Sequence, residues 1–280
     1  MIRGFKGRLL RRLSTRPEPT INAPSALCIT ANGRVTYAKD PDTARVPASV
    51  IKLMVLHLAR TAITDDMLHD TVTFTEADAS RGTSAKLKPG DVITWNDLFH
   101  GLMLPSGNDA AKCIARNVGS LHEGEGSPLR RFIAAMNARA VEEFGWQGAS
   151  FSSASGLERR SRLTARQACE LALALDPYAT AVSGATSHDI TITGPNARSY
   201  TLEHTVSAAG PVHFPEMVAA KTGTLKGNPQ LANCVMLWDD GRGRHHATAV
   251  LNSWPRDERL HDTRAIMDYT TGTTPSHPQR

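Results

Sequence analysis

Aromatic residues make up only 5% of this 280-residue chain, and there are only four cysteines. Cys28, Cys113, Cys169 and Cys234 lie far apart beside apolar neighbours, with no CxxC pair and no Cys/His cluster. That spacing argues against a disulfide framework and a metal site, and favours core thiols. No run of about 18 apolar residues occurs, so no transmembrane helix is predicted. Charge of one sign is scarce as well: 32 Lys+Arg against 27 Asp+Glu leave a formal +5. Six of those basic residues fall in MIRGFKGRLLRRLSTR at 1–16, which has no acid, so the remainder is close to neutral. With no basic stripe interleaved with aromatics in the body, nucleic acid is not expected as a partner.

The basic tail starts like a signal peptide, but PEPT follows it where an apolar h-region of roughly 7–15 residues would stand. Three readings stay open: a segment making weak contact with a membrane surface, an organelle-type presequence, or a solvated tail. The hydrophobic content, 40%, suffices for one large core or two unequal lobes.

ALCIT and RVTYA flank ANG at 31–33 and read as a hairpin. A helix is expected from Ser49, followed by helical patterns over 95–104, 108–118, 128–144 and 164–175 with Gly, Ser and Pro between them. SHDITITG, MVAAKTG, LANCVMLWDD and HHATAVLNS then read as strands, the last two joined by DDGRGR, before a helix over about 256–269. Strands at both ends with helices between predict an α+β fold: one antiparallel sheet built from both termini, flanked by helices and a helical lobe. Three regions are expected: a tail over 1–23, one domain over 24–270 and a second tail over 271–280.

The run PASVIKLMVL at 47–56 is almost wholly apolar from Val50 onward, except for Lys52, with Ser49 three residues before it. That spacing puts both side chains on one helix face. A serine hydroxyl is a poor nucleophile until a base takes its proton, and a lysine can be that base if burial lowers its pKa from about 10.4. The ordinary reading is an N-cap serine and a lysine snorkelling from a helix. In LPSGNDAAKC at 104–113, Ser106 and Asn108 can face one cavity or simply cap a helix. In KTGTLKG at 221–227, Lys221, Thr222 and Thr224 stand at the end of a strand, where a cation and two hydroxyls suit an anionic group. Gly223 permits close backbone approach. The competing reading is an exposed edge with a turn.

SVIK, SGN and KTGT in this order match the signatures of penicillin-binding proteins and active-site serine β-lactamases. Beyond them, LKPGDVITWNDLFHGLMLPSGNDAA and FIAAMNARAVEEFGWQGASFSSASGLERRSRLTARQACELA resemble segments of the low-molecular-mass penicillin-binding proteins, the serine D-alanyl-D-alanine carboxypeptidases, over residues 24–270. The resemblance implies a β-lactamase/transpeptidase-like fold and peptidoglycan peptides ending in D-Ala-D-Ala as substrate, with β-lactams as inhibitors and no cofactor or metal. It makes Ser49 the acylated nucleophile, Lys52 its base and Ser106 a proton relay. Asn108 would hold the substrate amide, and Lys221 the electrostatic field. Thr222, Gly223 and Thr224 would line the carboxylate subsite with Arg259, for which Arg256 is close enough to compete. The backbone N–H groups of Ser49 and Thr224 would form the oxyanion hole.

Departures accompany the resemblance. Thr224 stands where many family carboxypeptidases have histidine. A second β-rich domain, a C-terminal anchor and a secretion signal are not expected from this sequence, although the implied substrate lies in the cell envelope. The alternatives are a β-lactamase of the same fold, disfavoured because no ExxLN motif occurs, and a non-catalytic peptidoglycan-binding homologue.

Overall fold

The computed structural model describes residues 16–207, 212–227 and 229–273. Nearly all of the basic tail at 1–16, with the membrane-surface contact read into it, and most of the second tail at 271–280 lie outside the described residues.

Five strands form one antiparallel sheet: β1 (Ser25–Thr30), β2 (Val35–Lys39), β7 (Met217–Leu225), β8 (Leu231–Asp239) and β9 (His245–Ser253), in the order β2-β1-β9-β8-β7. This is the sheet expected from both ends of the chain. Side chains alternate between its faces because successive strand residues point oppositely. Leu27, Ile29, Val235, Leu237, Ala247 and Ala249 pack into one core, while Ala26, Cys28, Cys234, Met236, Trp238 and Val250 pack into another. Both faces are thus covered, so β1 is buried along its whole length and β8 up to Trp238, with apolar runs at Ala26–Ile29 and Cys234–Trp238 in place of a strict apolar/polar alternation.

The second core is closed by α7 (Glu258–Thr271), through Leu260, Ile266 and Met267. The first is covered by α1 (Lys52–Arg60) and α5 (Ala165–Leu173) and continues into a helical lobe of α2 (Trp95–Met103), α3 (Asn108–Gly119) and α4 (Pro128–Glu142). Three of these helices, α2, α4 and α5, begin at a side-chain cap. Thr94 Oγ1 accepts from the Asp97 N–H of α2, Ser127 precedes Pro128 at the first position of α4, and Thr164 with Gln167 forms a capping box on α5. All four cysteines are buried and free.

Several elements differ from the expectation. SHDITITG supplies β5 (Ser187–Ile192), but it pairs with β6 (Arg198–Glu203) in a separate hairpin instead of joining the main sheet. A second small antiparallel pair, β3 (Thr71–Thr73) with β4 (Val92–Thr94), is too short to show a periodic pattern. An additional helix, α6 (Pro177–Gly184), starts from an Asp176 cap. The helix expected at Ser49 is first a 3₁₀ turn over Ala48–Ile51, and α1 starts only at Lys52.

Candidate active site

The 3₁₀ turn is anchored from a distant strand. The side-chain amide of Asn233 on β8 donates to the carbonyls of Val46 (3.2 Å) and Pro47 (2.7 Å), fixing the chain as it enters the turn. Ala48 then adopts φ +48°, a left-handed conformation rare for a residue with a Cβ. Val50 N–H donates to Pro47 O at 3.1 Å, and Lys52 N–H donates to Ser49 O. In a 3₁₀ turn residues three apart eclipse one another, so Ser49 and Lys52 stand closer to alignment than on an α-helix.

Lys52 Nζ lies 2.9 Å from Ser49 Oγ, 2.7 Å from Asn108 Oδ1 and 2.8 Å from the carbonyl oxygen of Ser155. Its side chain is fully buried. Burial pushes its pKa down to about 7, against an upward pull from Asp109. Asp109 is engaged elsewhere: its carboxylate accepts from Ser84 Oγ (2.6 Å), Ala85 N–H (2.8 Å) and Leu87 N–H (3.3 Å), securing the 84–87 segment.

Ser106 sits between α2 and α3 at φ +63°, and Lys221 Nζ donates to its Oγ at 2.8 Å. Thr83 Oγ1 holds the Ser106 carbonyl (2.6 Å), while Asn108 donates from its backbone to Thr83 O and from Nδ2 to Arg81 O, both at 2.8 Å. Asn108 thus spans Lys52 and the 81–83 segment. Lys221 is also fully buried, and its other donor contact is to Thr222 O at 2.7 Å. Burial drives its pKa well below the ordinary lysine value, with Lys52 and then Arg259 adding to the effect. Two buried amines thus face two serine hydroxyls, Lys52 toward Ser49 and Lys221 toward Ser106.

Lys221, Thr222, Gly223 and Thr224 lie on β7, the last strand of the sheet. Arg259 reaches them from α7, donating through Nη1 to Thr224 Oγ1 (2.7 Å) and Gly223 O (3.1 Å). Arg259 is buried, whereas Arg256 is exposed, so Arg259 is the arginine turned toward β7. Gly223 does permit close backbone approach, but toward the Ser49 turn and not toward an open cavity. A Cβ there would fall 2.8 Å from Pro47 O and 3.1 Å from Ser49 N. On the other side of the turn Gly156, at φ +81°, comes so near that a Cβ would lie 2.2 Å from Ala48 O. The turn is held between two glycines.

The geometry therefore brings together Ser49, Lys52, Ser106, Asn108, Lys221, Thr222, Gly223, Thr224 and Arg259 from four separate parts of the chain. Sequence reasoning missed Ser155, Gly156, Asp109 and Asn233. The acceptor on Ser155 is a backbone carbonyl and left no trace in the residue type. Gly156, in SASGLE, carried the ordinary signal of a glycine turn.

A hydroxyl in contact with a buried amine of lowered basicity, backed by a second such pair, can form and break an acyl-serine. The sequence matches the D-alanyl-D-alanine carboxypeptidase family over residues 13–225, and the chain belongs to that family. It is 27% identical to the D-alanyl-D-alanine carboxypeptidase of Streptomyces sp. strain K15, over 90% of this chain and 88% of that protein. The crystal structure of the Streptomyces K15 DD-transpeptidase superposes with a TM-score of 0.81 at 26% identity, covering 92% of this chain and 100% of that one. The matched stretch with D-alanyl-D-alanine carboxypeptidase DacF of Bacillus subtilis is 32% identical over 48% of this chain. It spans only 34% of the B. subtilis protein, and the match to DacC of Escherichia coli spans 42% of that one. Among the described residues no helix is long and apolar enough to cross a membrane.

Proposed function

We propose that the chain is a serine-type D-Ala-D-Ala carboxypeptidase acting on peptidoglycan stem peptides, with residues 24–270 as its catalytic unit. The observation that carries this reading is the environment of Lys52. Asn108 Oδ1 and Ser155 O can only accept, so they engage two N–H bonds of the amine. In the neutral amine those are all the hydrogens it has, and its lone pair is left facing Ser49 Oγ at 2.9 Å. Above about pH 7 the group is thus poised to take the serine proton.

In the proposed reaction Ser49 Oγ attacks the carbonyl of the penultimate D-Ala as its proton passes to Lys52. The C–O bond forms, and the oxyanion is held by the backbone N–H groups of Ser49 and Thr224. Collapse breaks the C–N bond, and Ser106, polarised by Lys221, relays a proton to the departing D-alanine amine. Asn108 keeps Lys52 in place and receives the substrate amide. Thr222, Thr224 and Arg259 take the terminal carboxylate, with Gly223 setting the distance between β7 and the nucleophile. Water then hydrolyses the acyl-enzyme. β-Lactams would acylate Ser49 by the same attack, ring opening replacing loss of the amine. The substrate implies work in the cell envelope, and weak contact of the basic residues 1–16 with a membrane surface is consistent with it.

The test is intact mass after incubation with benzylpenicillin. The expected result is a long-lived adduct of one penicillin, located on Ser49 and lost in Ser49→Ala, together with D-alanine release from a D-Ala-D-Ala peptide by the unmodified protein. Rapid shedding of the adduct as penicilloate would identify a β-lactamase instead, and no adduct at all would leave a non-catalytic peptidoglycan binder.

A further inference from the structure

Next to the proposed carboxylate subsite lies a segment to which neither motif nor resemblance gives a role: His204, Thr205 and Val206, just after β6. His204 is fully buried. Its Nδ1 accepts from the Val206 N–H at 3.0 Å, so the ring proton resides on Nε2, which donates to Ala220 O at 3.2 Å. Burial and the neighbouring Lys221 hold its pKa down to about 4, so it adds no further charge beside the two buried lysines. The ring thus pins the segment to β7 one residue before Lys221. Thr205 itself makes two links: its N–H donates to Leu104 O at 3.0 Å, two residues before Ser106, and its Oγ1 lies 2.7 Å from Thr222 Oγ1.

The hydrogen bond to Thr222 has a directional consequence. Thr222 is buried, and a hydroxyl has one hydrogen to give. If that hydrogen goes to a substrate carboxylate, Thr222 Oγ1 is free to accept, and Thr205 stands ready to donate to it. A hydroxyl that accepts one hydrogen bond is a stronger donor in the next. Thr205 is β-branched and fixed through its backbone, so its hydroxyl is held in few orientations.

Building on the carboxypeptidase reading, we propose that Thr205 is a positioning residue for the terminal carboxylate: its hydroxyl donates to Thr222 Oγ1 and turns the Thr222 hydrogen toward the substrate anion. The His204 clip keeps the two threonines in register, and the Leu104 link ties that register to the loop bearing Ser106.

Steady-state kinetics of Thr205→Val and Thr205→Ser on a diacylated tripeptide ending in D-Ala-D-Ala test this, run beside the same peptide capped as an amide and beside penicillin labelling. Thr205→Val should raise KM for the free acid about tenfold, with a much smaller change in kcat and a smaller effect on the capped peptide. Thr205→Ser should recover most of the KM. A Thr205→Val enzyme with unaltered KM, or equal losses on free and capped peptides that serine does not rescue, would overturn the role of Thr205 while unmodified protein labelled at Ser49 keeps the carboxypeptidase reading. Failure of the unmodified protein to form an adduct would overturn both.

Discussion

Gly223 and Ser49 meet backbone to backbone: a Cβ on Gly223 would stand 3.1 Å from the amide nitrogen of Ser49 and 2.8 Å from Pro47 O. The distance between β7 and the 3₁₀ turn is therefore set by the absence of one carbon atom. Both partners at the contact are backbone, so neither can move aside as a flexible side chain would.

Gly223→Ala should push β7 from the turn and spoil the alignment of Ser49 with Thr224. A misplacement of about 1 Å can reduce a rate by roughly a hundredfold. The rate of labelling by a fluorescent penicillin should fall by about that factor, while a circular dichroism spectrum stays unchanged. Labelling at the unmodified rate would mean that β7 and the turn separate without cost.

Acylation should depend on pH through Lys52. A lysine lowered by burial to about 7 is protonated below that pH and cannot accept a proton from Ser49. The second-order rate of acylation by penicillin should therefore rise roughly tenfold per pH unit below about 7 and level off above it. A profile still rising at pH 9 would place the neutral amine elsewhere or give Lys52 an ordinary basicity.

Asn108→Asp alters that same equilibrium from outside the lysine. A carboxylate at the position now 2.7 Å from Nζ would favour the ammonium form and move the inflection upward by roughly 1 to 3 pH units. Acylation at pH 7 should drop accordingly and recover at high pH, which a variant that had lost its fold would not do. An inflection that stays where it was would show that Asn108 does not govern the charge of Lys52.

What could be read in the sequence follows from how each feature is encoded. Ser49 and Lys52 announce themselves because a lysine inside an apolar run must be accounted for, and KTGT because a cation and hydroxyls end a strand. Strands β1, β8 and β9 were legible as apolar runs separated by turn residues. The Ser155 carbonyl left no trace, since every residue has one. Asn233 clamps Val46 and Pro47 across most of the chain, a long-range contact that looks in sequence like any polar residue in a strand. β3 and β4 have three residues each, too few for a period of two to stand out. α6 was missed although Asp176 and Pro177 form an ordinary helix start, because the helix is a short stretch with a weak apolar face.

Arg259 offers the sharpest test of substrate recognition. Its side chain is 1% exposed, yet its described partners are a hydroxyl and a carbonyl, and its Nε has no hydrogen-bond partner among the described residues. A buried guanidinium without a carboxylate is costly unless an anion completes it, and the group lies where Thr224 presents its hydroxyl to β7's end. Charge-assisted hydrogen bonds are worth on the order of 1.5 to 3 kcal/mol each. Arg259→Ala should accordingly lower kcat/KM on peptides with a free terminal carboxylate by roughly ten- to a hundredfold, and lower it far less on the same peptides capped as amides. Arg256→Ala, altering an exposed side chain, should do little to either. Equal losses on both substrates in the Arg259 variant would reduce that residue to a support of β7, and a selective loss in the Arg256 variant would transfer the anion to the exposed arginine.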